Sequence, residues 1–242
     1  MRASSWLAVG AAAFGLSACS ASEAQETGPA TSRNYPVAAF DKIEVAGPYQ
    51  VTITTGGQPA VQARGGSNIL DRTVVEVENG TLKIHPRKEK GMNWSWSSRR
   101  GEEVRFAVSV PHLVSAATAG SGNLSVGKVA GQRFSGSVAG SGELRLADVQ
   151  VSDLALEIAG SGNVQGRGRA TQAHYEIAGS GNIKAGGIAA DRLQVEIAGS
   201  GNIEGQARST ADVDIAGSGN VTVTGGAKCN VSKAGIGNVS CS

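Results

Sequence analysis

Leu193-Gln-Val-Glu-Ile-Ala-Gly-Ser-Gly-Asn202 joins two patterns that decide the fold. Its first half alternates apolar Leu193, Val195 and Ile197 with polar Gln194 and Glu196, the period of two expected of a strand with one buried face. Its second half is a glycine-rich pentapeptide that suits a turn. The pentapeptide recurs. Ala-Gly-Ser-Gly-Asn starts at Ala119, Ala159, Ala178, Ala198 and Ala216, with variants at Ala139 (AGSGE) and Ala234 (AGIGN), at intervals of 20, 20, 19, 20, 18 and 18 residues. The alternation before it recurs as well, in Leu154, Leu156 and Ile158, in Tyr175 and Ile177, and in Val213 and Ile215. Short β-like pieces follow it, such as Leu144-Arg-Leu146 and Val221-Thr-Val223.

A self-similar unit of about 19 residues holding short strands and a glycine turn reads as one coil of a solenoid. Leucine-rich repeats have a similar length but need a leucine and asparagine pattern that is missing, and propeller blades need about twice the length. Glycine at this density also argues against helix. The expected fold is therefore all-β, a single-stranded parallel β-helix whose coils stack about 4.8 Å apart. Stacking puts like on like. Gly120, Gly140, Gly160, Gly179, Gly199, Gly217 and Gly235 should form one column at a tight corner, where glycine accepts positive φ. Asn123, Asn163, Asn182, Asn202, Asn220 and Asn238 should form a second, able to hydrogen-bond along the axis.

Composition agrees with a repeat. The chain has 242 residues and 35 glycines, few aromatics, and 22 Lys plus Arg against 20 Asp plus Glu. That balance excludes a strongly basic nucleic-acid binder. With only 17% charged residues, a highly charged disordered chain is excluded too.

Residues 37–118 lack the pentapeptide but keep β character in Lys42–Ala46, Tyr49–Thr54, Thr73–Glu78, Thr81–His85 and Val104–Val110. Asn79-Gly80 between two alternating runs marks a tight hairpin turn. This part is expected to form irregular first coils continuous with the rod, the alternative being a separate small β domain. The order Phe40-Asp-Lys-Ile43-Glu-Val-Ala-Gly47, Val51-Thr-Ile53, Val75-Glu-Val77 through Leu82-Lys-Ile84, then Gly-Ser-Gly-Asn coils resembles the bacterial head GIN domain (DUF2807), described as an auto-transporter adhesin head. The resemblance covers about residues 40–240. It implies a β-helical surface domain and brings no catalytic residues with it.

The amino terminus reads as an export signal. Arg2 precedes the apolar run Trp6–Leu16, which is too short to span a bilayer. Leu16-Ser17-Ala18-Cys19 resembles the lipobox of bacterial lipoproteins, which implies cleavage before Cys19 and its lipidation. With Ser20 following, the resemblance favours the outer membrane. Ordinary cleavage after Ala21 or Ala24 is the alternative. The expected organisation is a signal peptide over 1–18, a flexible tether over 19–36 that is small and polar, and a β-helical domain over 37–242.

Three candidate sites emerge. With Cys19 set aside, Cys229 and Cys241 are an even pair in an exported domain and should form a disulfide across the last coil. Glu157, Glu176, Glu196 and Asp214 each lie two residues before the pentapeptide, so stacking should line up carboxylates about 5 Å apart, close enough to repel. They read as a solvated face, with a Ca²⁺ site or glycosidic acid–base chemistry as alternatives. The insertion 86–101 carries Trp94, Trp96, Arg99 and Arg100, and aromatic faces beside cations suit an acidic glycan, lipopolysaccharide or membrane surface. Its alternative is a loop whose tryptophans cover a rod end.

Enzyme motifs fail on inspection. Gly122-Asn-Leu-Ser-Val-Gly127-Lys128 begins like a phosphate-binding loop, but Val129 replaces the required Ser or Thr. Gly-Ser-Gly lacks the spacing of a nucleophile elbow, and His85, His112 and His174 are too scattered to propose a triad. The expected function is a non-catalytic envelope-surface or adhesion-type module without a cofactor. Its partners would be the membrane through the lipid anchor, and a glycan or another envelope protein. A polysaccharide lyase or hydrolase on the same scaffold, or an assembly partner of an envelope protein, are the alternatives. An enzyme should show a groove mixing acidic and basic residues on one lateral face, and a binder exposed aromatics without one.

Overall fold

The computed structural model describes residues 28–87 and 103–242. The irregular part comprises β1 (Ala30–Tyr35), β2 (Lys42–Ala46), β3 (Gln50–Thr55), β4 (Ala60–Gly66), a short helix α1 (Ser67–Asp71), β5 (Thr73–Glu78), β6 (Thr81–Pro86), β7 (Arg105–Val110) and β8 (Ser115–Gly120). Five long elements follow, each running once around the solenoid: β9 (Asn123–Gly140), β10 (Glu143–Gly160), β11 (Asn163–Gly179), β12 (Asn182–Gly199) and β13 (Asn202–Gly217). Beyond them, β14 (Asn220–Thr224), β15 (Lys228–Gly235) and β16 (Val239–Cys241) make a final partial coil. All sixteen strands belong to one sheet, and β9 through β13 pair in parallel, each on the next. The fold is a β-solenoid of about six turns.

Glycine and sheet register produce this stacking together. All seven glycines of the expected column stand opposite one another, from Gly120 opposite Gly140 to Gly217 opposite Gly235. Each has positive φ, between 105° and 140°. A Cβ on Gly160 would lie 2.6 Å from the carbonyl oxygen of Gly140 one coil earlier. The corner therefore demands glycine twice, for its dihedral and for the closeness of the preceding backbone. Asn163, Asn182, Asn202 and Asn220 form the asparagine ladder, in which the side-chain amides of Asn182, Asn202 and Asn220 each donate to the side-chain oxygen one coil earlier at 2.9–3.0 Å. Glu143 interrupts the column between Asn123 and Asn163. Arg145, two residues on, binds its carboxylate at 2.8 and 2.9 Å, and Gln165 donates to it as well.

Coil lengths differ, yet the corners stay aligned. The register between β10 and β11 shifts between Leu146 and Val149, where Ala147 and Asp148 face Arg167 alone. This bulge absorbs the one-residue difference between the coils. Arg167 seals it by donating to the Ala147 carbonyl at 2.8 Å.

The lumen is narrow. Leu154, Leu156, Ile158, Leu193, Val195 and Ile197 are buried, as the alternation requires. Large residues face small ones: a Cβ on Gly205 would lie 2.6 Å from Leu193 and 3.6 Å from Tyr175. A coil this thin has little room for aromatics.

Residues 37–118 do stack on the rod. Strand β2 pairs in parallel with β6 and β8, β3 with β7 and β9, and one continuous core includes Phe40, Tyr49 and Phe106. Asn79 (φ 49°) and Gly80 (φ 75°) close the β5–β6 hairpin as expected. Two features differ from the sequence reading. The expected tether over 19–36 does not extend to its end, because Ala30–Tyr35 is strand β1, antiparallel to β4. Arg33 also pins it, reaching Asp71 at 2.6 Å. Strand β4 was not anticipated either, and it reaches β7 in antiparallel register. The irregular end thus mixes antiparallel pairs into an otherwise parallel solenoid.

Candidate functional site

The segment before each pentapeptide runs along one lateral face of the rod. Its inward residues fill the lumen, and its outward residues stack into three columns. Arg133, Asp153, Gln172 and Arg192 form the first. Ala155, His174, Gln194 and Asp212 form the second. Glu157, Glu176, Glu196 and Asp214 form the third, the expected acidic column, flanked by Ser137 and Ser232 at its ends.

Between the first two columns lies an open groove of about 400 Å³. Its walls are the polar side chains of both columns, and Leu154, Ala173 and Leu193, buried with their side chains in the lumen, pass beneath it. Ala155, flanked along its strand by Asp153 and Glu157, leaves the face low at that point. Arg133 and Arg192 make no ion pair or side-chain hydrogen bond among the described residues. Other groups are tied down: Asp212 accepts from Asn230 at 2.7 Å, Gln194 donates to Glu196 at 2.8 Å, and His174 stands 3.8 Å from Glu176. The acidic column is therefore eased by neighbouring polar groups. Among the described residues, no group of three or more His, Cys, Asp or Glu side chains is arranged to hold a metal ion.

Sequence reasoning named the third column but missed the groove beside it. Its signal was present, since Arg133, Asp153, Gln172 and Arg192 occupy equivalent places in successive repeats. Their differing chemistry hides them from a search for repeated residues. By the criterion set from sequence, a lateral groove mixing acids and bases is what the enzyme alternative requires, and the face has one.

Cys229 and Cys241 form the expected disulfide, opposite Ala211 and Val223 of the preceding coil, with Cα atoms 6.6 Å apart. Lys233 takes the place of inward Ile215 and donates to the Gly237 carbonyl at 2.8 Å. Val231 and Ile236 are exposed on this last coil. Cys19, Trp94, Trp96, Arg99 and Arg100 lie outside the described residues. Among the described residues, no helix is long and apolar enough to cross a membrane.

The succession of irregular first coils and glycine-cornered repeats has counterparts among known proteins. A family model described as "Putative auto-transporter adhesin, head GIN domain" (DUF2807) matches residues 39–227. The chain belongs to this family. Solved structures similar to this head GIN chain include a "putative adhesin" from Bacteroides fragilis, 23% identical, covering 88% of this chain and 97% of that one, with a TM-score of 0.79. A "putative lipid binding protein" from Parabacteroides distasonis is 27% identical, covers 89% of this chain and 97% of that one, and has a TM-score of 0.72. A "putative adhesin" from the same organism is 20% identical with a TM-score of 0.68, covering 89% and 98%. No curated protein matches the sequence. The head GIN membership makes the chain adhesin-like and suggests association with the cell envelope.

Proposed function

We propose that this head GIN protein is a non-catalytic adhesion-type module, held at the outer membrane through Cys19 and working by the lateral face of its solenoid. The observation that carries the reading is that face itself. Five in-register coils present three columns of outward side chains held at a fixed spacing. Such a surface offers many contacts in fixed positions, as the concave faces of other solenoids do. The family match and the adhesin-like neighbours support the same class. The lipobox-like Leu16–Cys19 supports the anchor, which several acyl chains would make stable. Beads coated with the full-length protein should adhere to bacterial or host cell surfaces where bare beads do not. Adhesion no greater than that of bare beads would refute the reading. For the anchor, Cys19→Ala should move the protein out of the membrane fraction, and unchanged fractionation would contradict lipidation.

One observation favours a second reading, a polysaccharide-processing enzyme. The groove brings Asp153, His174 and Asp212 to one face with two arginines, and carboxylates with imidazole can do general acid–base work. Release of new reducing ends from polysaccharide would support it, and release abolished by His174→Ala would assign it to the groove.

A further inference from the structure

The groove has a chemistry narrow enough to name its ligand. We propose that it binds a linear, uncharged oligosaccharide lying along the solenoid axis, an inference that rests on the lateral face being the binding surface.

The polar residues of the walls come first. Arg133, Asp153, Gln172, Arg192, Gln194 and Asp212 all end in planar polar groups that can make two parallel hydrogen bonds. Pairs of adjacent sugar hydroxyls offer two donors or acceptors at matching separation. Arg133 and Arg192 have no internal partner among the described residues, so they can bind without breaking an existing contact. Leu154, Ala173 and Leu193 are buried beneath the groove and offer it almost no apolar surface, so hydrogen bonding by the wall residues carries the recognition.

Shape favours a chain over a single sugar. Equivalent outward positions recur at every coil, about 4.8 Å apart, and from Arg133 to Asp212 there are four coil steps, about 19 Å. The groove runs across the strands on a sheet face. An extended peptide gains affinity chiefly by adding a strand at a sheet edge, and this face offers no free backbone donors for that. Saccharide is the better occupant.

Charge decides the rest. The four carboxylates of the third column lie one strand alternation away from the second, about 7 Å along the chain. With Asp153 and Asp212 they outnumber the two guanidiniums of the groove. The third column thus stands about 10 Å from the middle of the groove, near the Debye length of about 8 Å at physiological salt, so its repulsion is partly screened there. The groove's own charges balance, Arg133 and Arg192 against Asp153 and Asp212, so a polyanion finds no net positive charge there and an uncharged chain meets no electrostatic penalty. This ligand differs in charge from the acidic glycan expected of the Trp94–Arg100 insertion.

Isothermal titration of the full-length protein tests the assignment. The probes are uncharged hexamers of β-1,4-linked glucose, mannose and N-acetylglucosamine, their monosaccharides, and hexagalacturonate as the anionic control. At least one uncharged hexamer should bind, about tenfold or more tighter than its monosaccharide and than hexagalacturonate. Arg133→Gln/Arg192→Gln should weaken that binding by about tenfold or more. Its melting temperature should stay unchanged, since both side chains are exposed and unpaired. Binding of no uncharged hexamer, preference for hexagalacturonate, or full affinity in the double variant would each overturn the proposal. Bead adhesion separates the two levels. If wild-type beads adhere while the titration fails, the groove assignment falls and the surface reading stands. If wild-type beads do not adhere, the surface reading falls too.

Discussion

Gly199→Ala isolates what holds the coils in register. Gly199 has φ +134°, and a Cβ there would lie 3.0 Å from the carbonyl carbon of Gly179 and 3.2 Å from its Cα, with the Gly179 oxygen closer still. Gly179 cannot retreat, because it is itself stacked on Gly160. A non-glycine residue in such a dihedral costs about 1–3 kcal/mol, and the collision resembles overpacking, about 1–3 kcal/mol more. The total is roughly 2–6 kcal/mol. Gly226→Ala separates the two causes. Gly226 has φ +76° but no atom within 4 Å of a built Cβ, so only the dihedral cost of about 1–2 kcal/mol remains. Ser200→Ala, at an exposed position of the same corner, should change stability by less than about 0.5 kcal/mol. Urea unfolding of the three variants reads the differences from midpoints at constant slope. If Gly199→Ala costs no more than Gly226→Ala, close backbone approach is not what selects glycine at the corner, and the stacking argument fails.

Three further outcomes follow from the same geometry. Cys229→Ser/Cys241→Ser should destabilise the last coil by about 3 kcal/mol, the loop-closure value for a short bridge. Hydrogen exchange should speed up in β15 and β16 and stay constant in β10 and β11, because solenoid coils contact only their neighbours; uniform acceleration would contradict this. Glu143 is held below the usual carboxylate range, first by the Arg145 hydrogen bond and then by Gln165, against an opposing push from burial. Its stabilising contribution is therefore complete above the unfolded pKa of about 4.3 and lost as pH falls through the lower folded value. Glu143→Gln should lower the melting temperature at pH 7 and reduce its fall between about pH 5 and 3, and an unchanged acid limb would refute it. Asn202→Ala removes both ladder bonds of Asn202, to Asn182 and from Asn220, and should cost about 1–2 kcal/mol in urea unfolding. No measurable loss would mean the exposed ladder is fully replaced by water.

The regular coils were legible because one physical constraint repeats in them. A glycine corner and period-two alternation each point to stacked strands, and their agreement fixes the columns of Gly120 through Gly235 and Asn163 through Asn220. Strand β1 was not legible. Ala-Thr-Ser-Arg-Asn-Tyr35 shows no apolar alternation, since its residues are all exposed or half-buried and its place is held by pairing with β4 and by Arg33 on Asp71. Strand β4 ends in Arg64-Gly-Gly66, which reads as a loop, and its antiparallel register depends on distant β7. The acidic column was legible because the same charge recurs at the same place. The groove was not, because Arg133, Asp153, Gln172 and Arg192 share only a position. A repeat advertises what is the same in each coil, whereas recognition draws on what differs.

The central claim is that the solenoid face binds without transforming what it binds. Incubating the full-length protein with the oligosaccharide it retains, and following both retention and ligand mass by mass spectrometry, tests this most directly. The account predicts retention that depends on Arg133 and Arg192, with the chain length of the ligand unchanged. Shortened or unsaturated products that disappear with His174→Ala would contradict it and establish an enzyme on the same face.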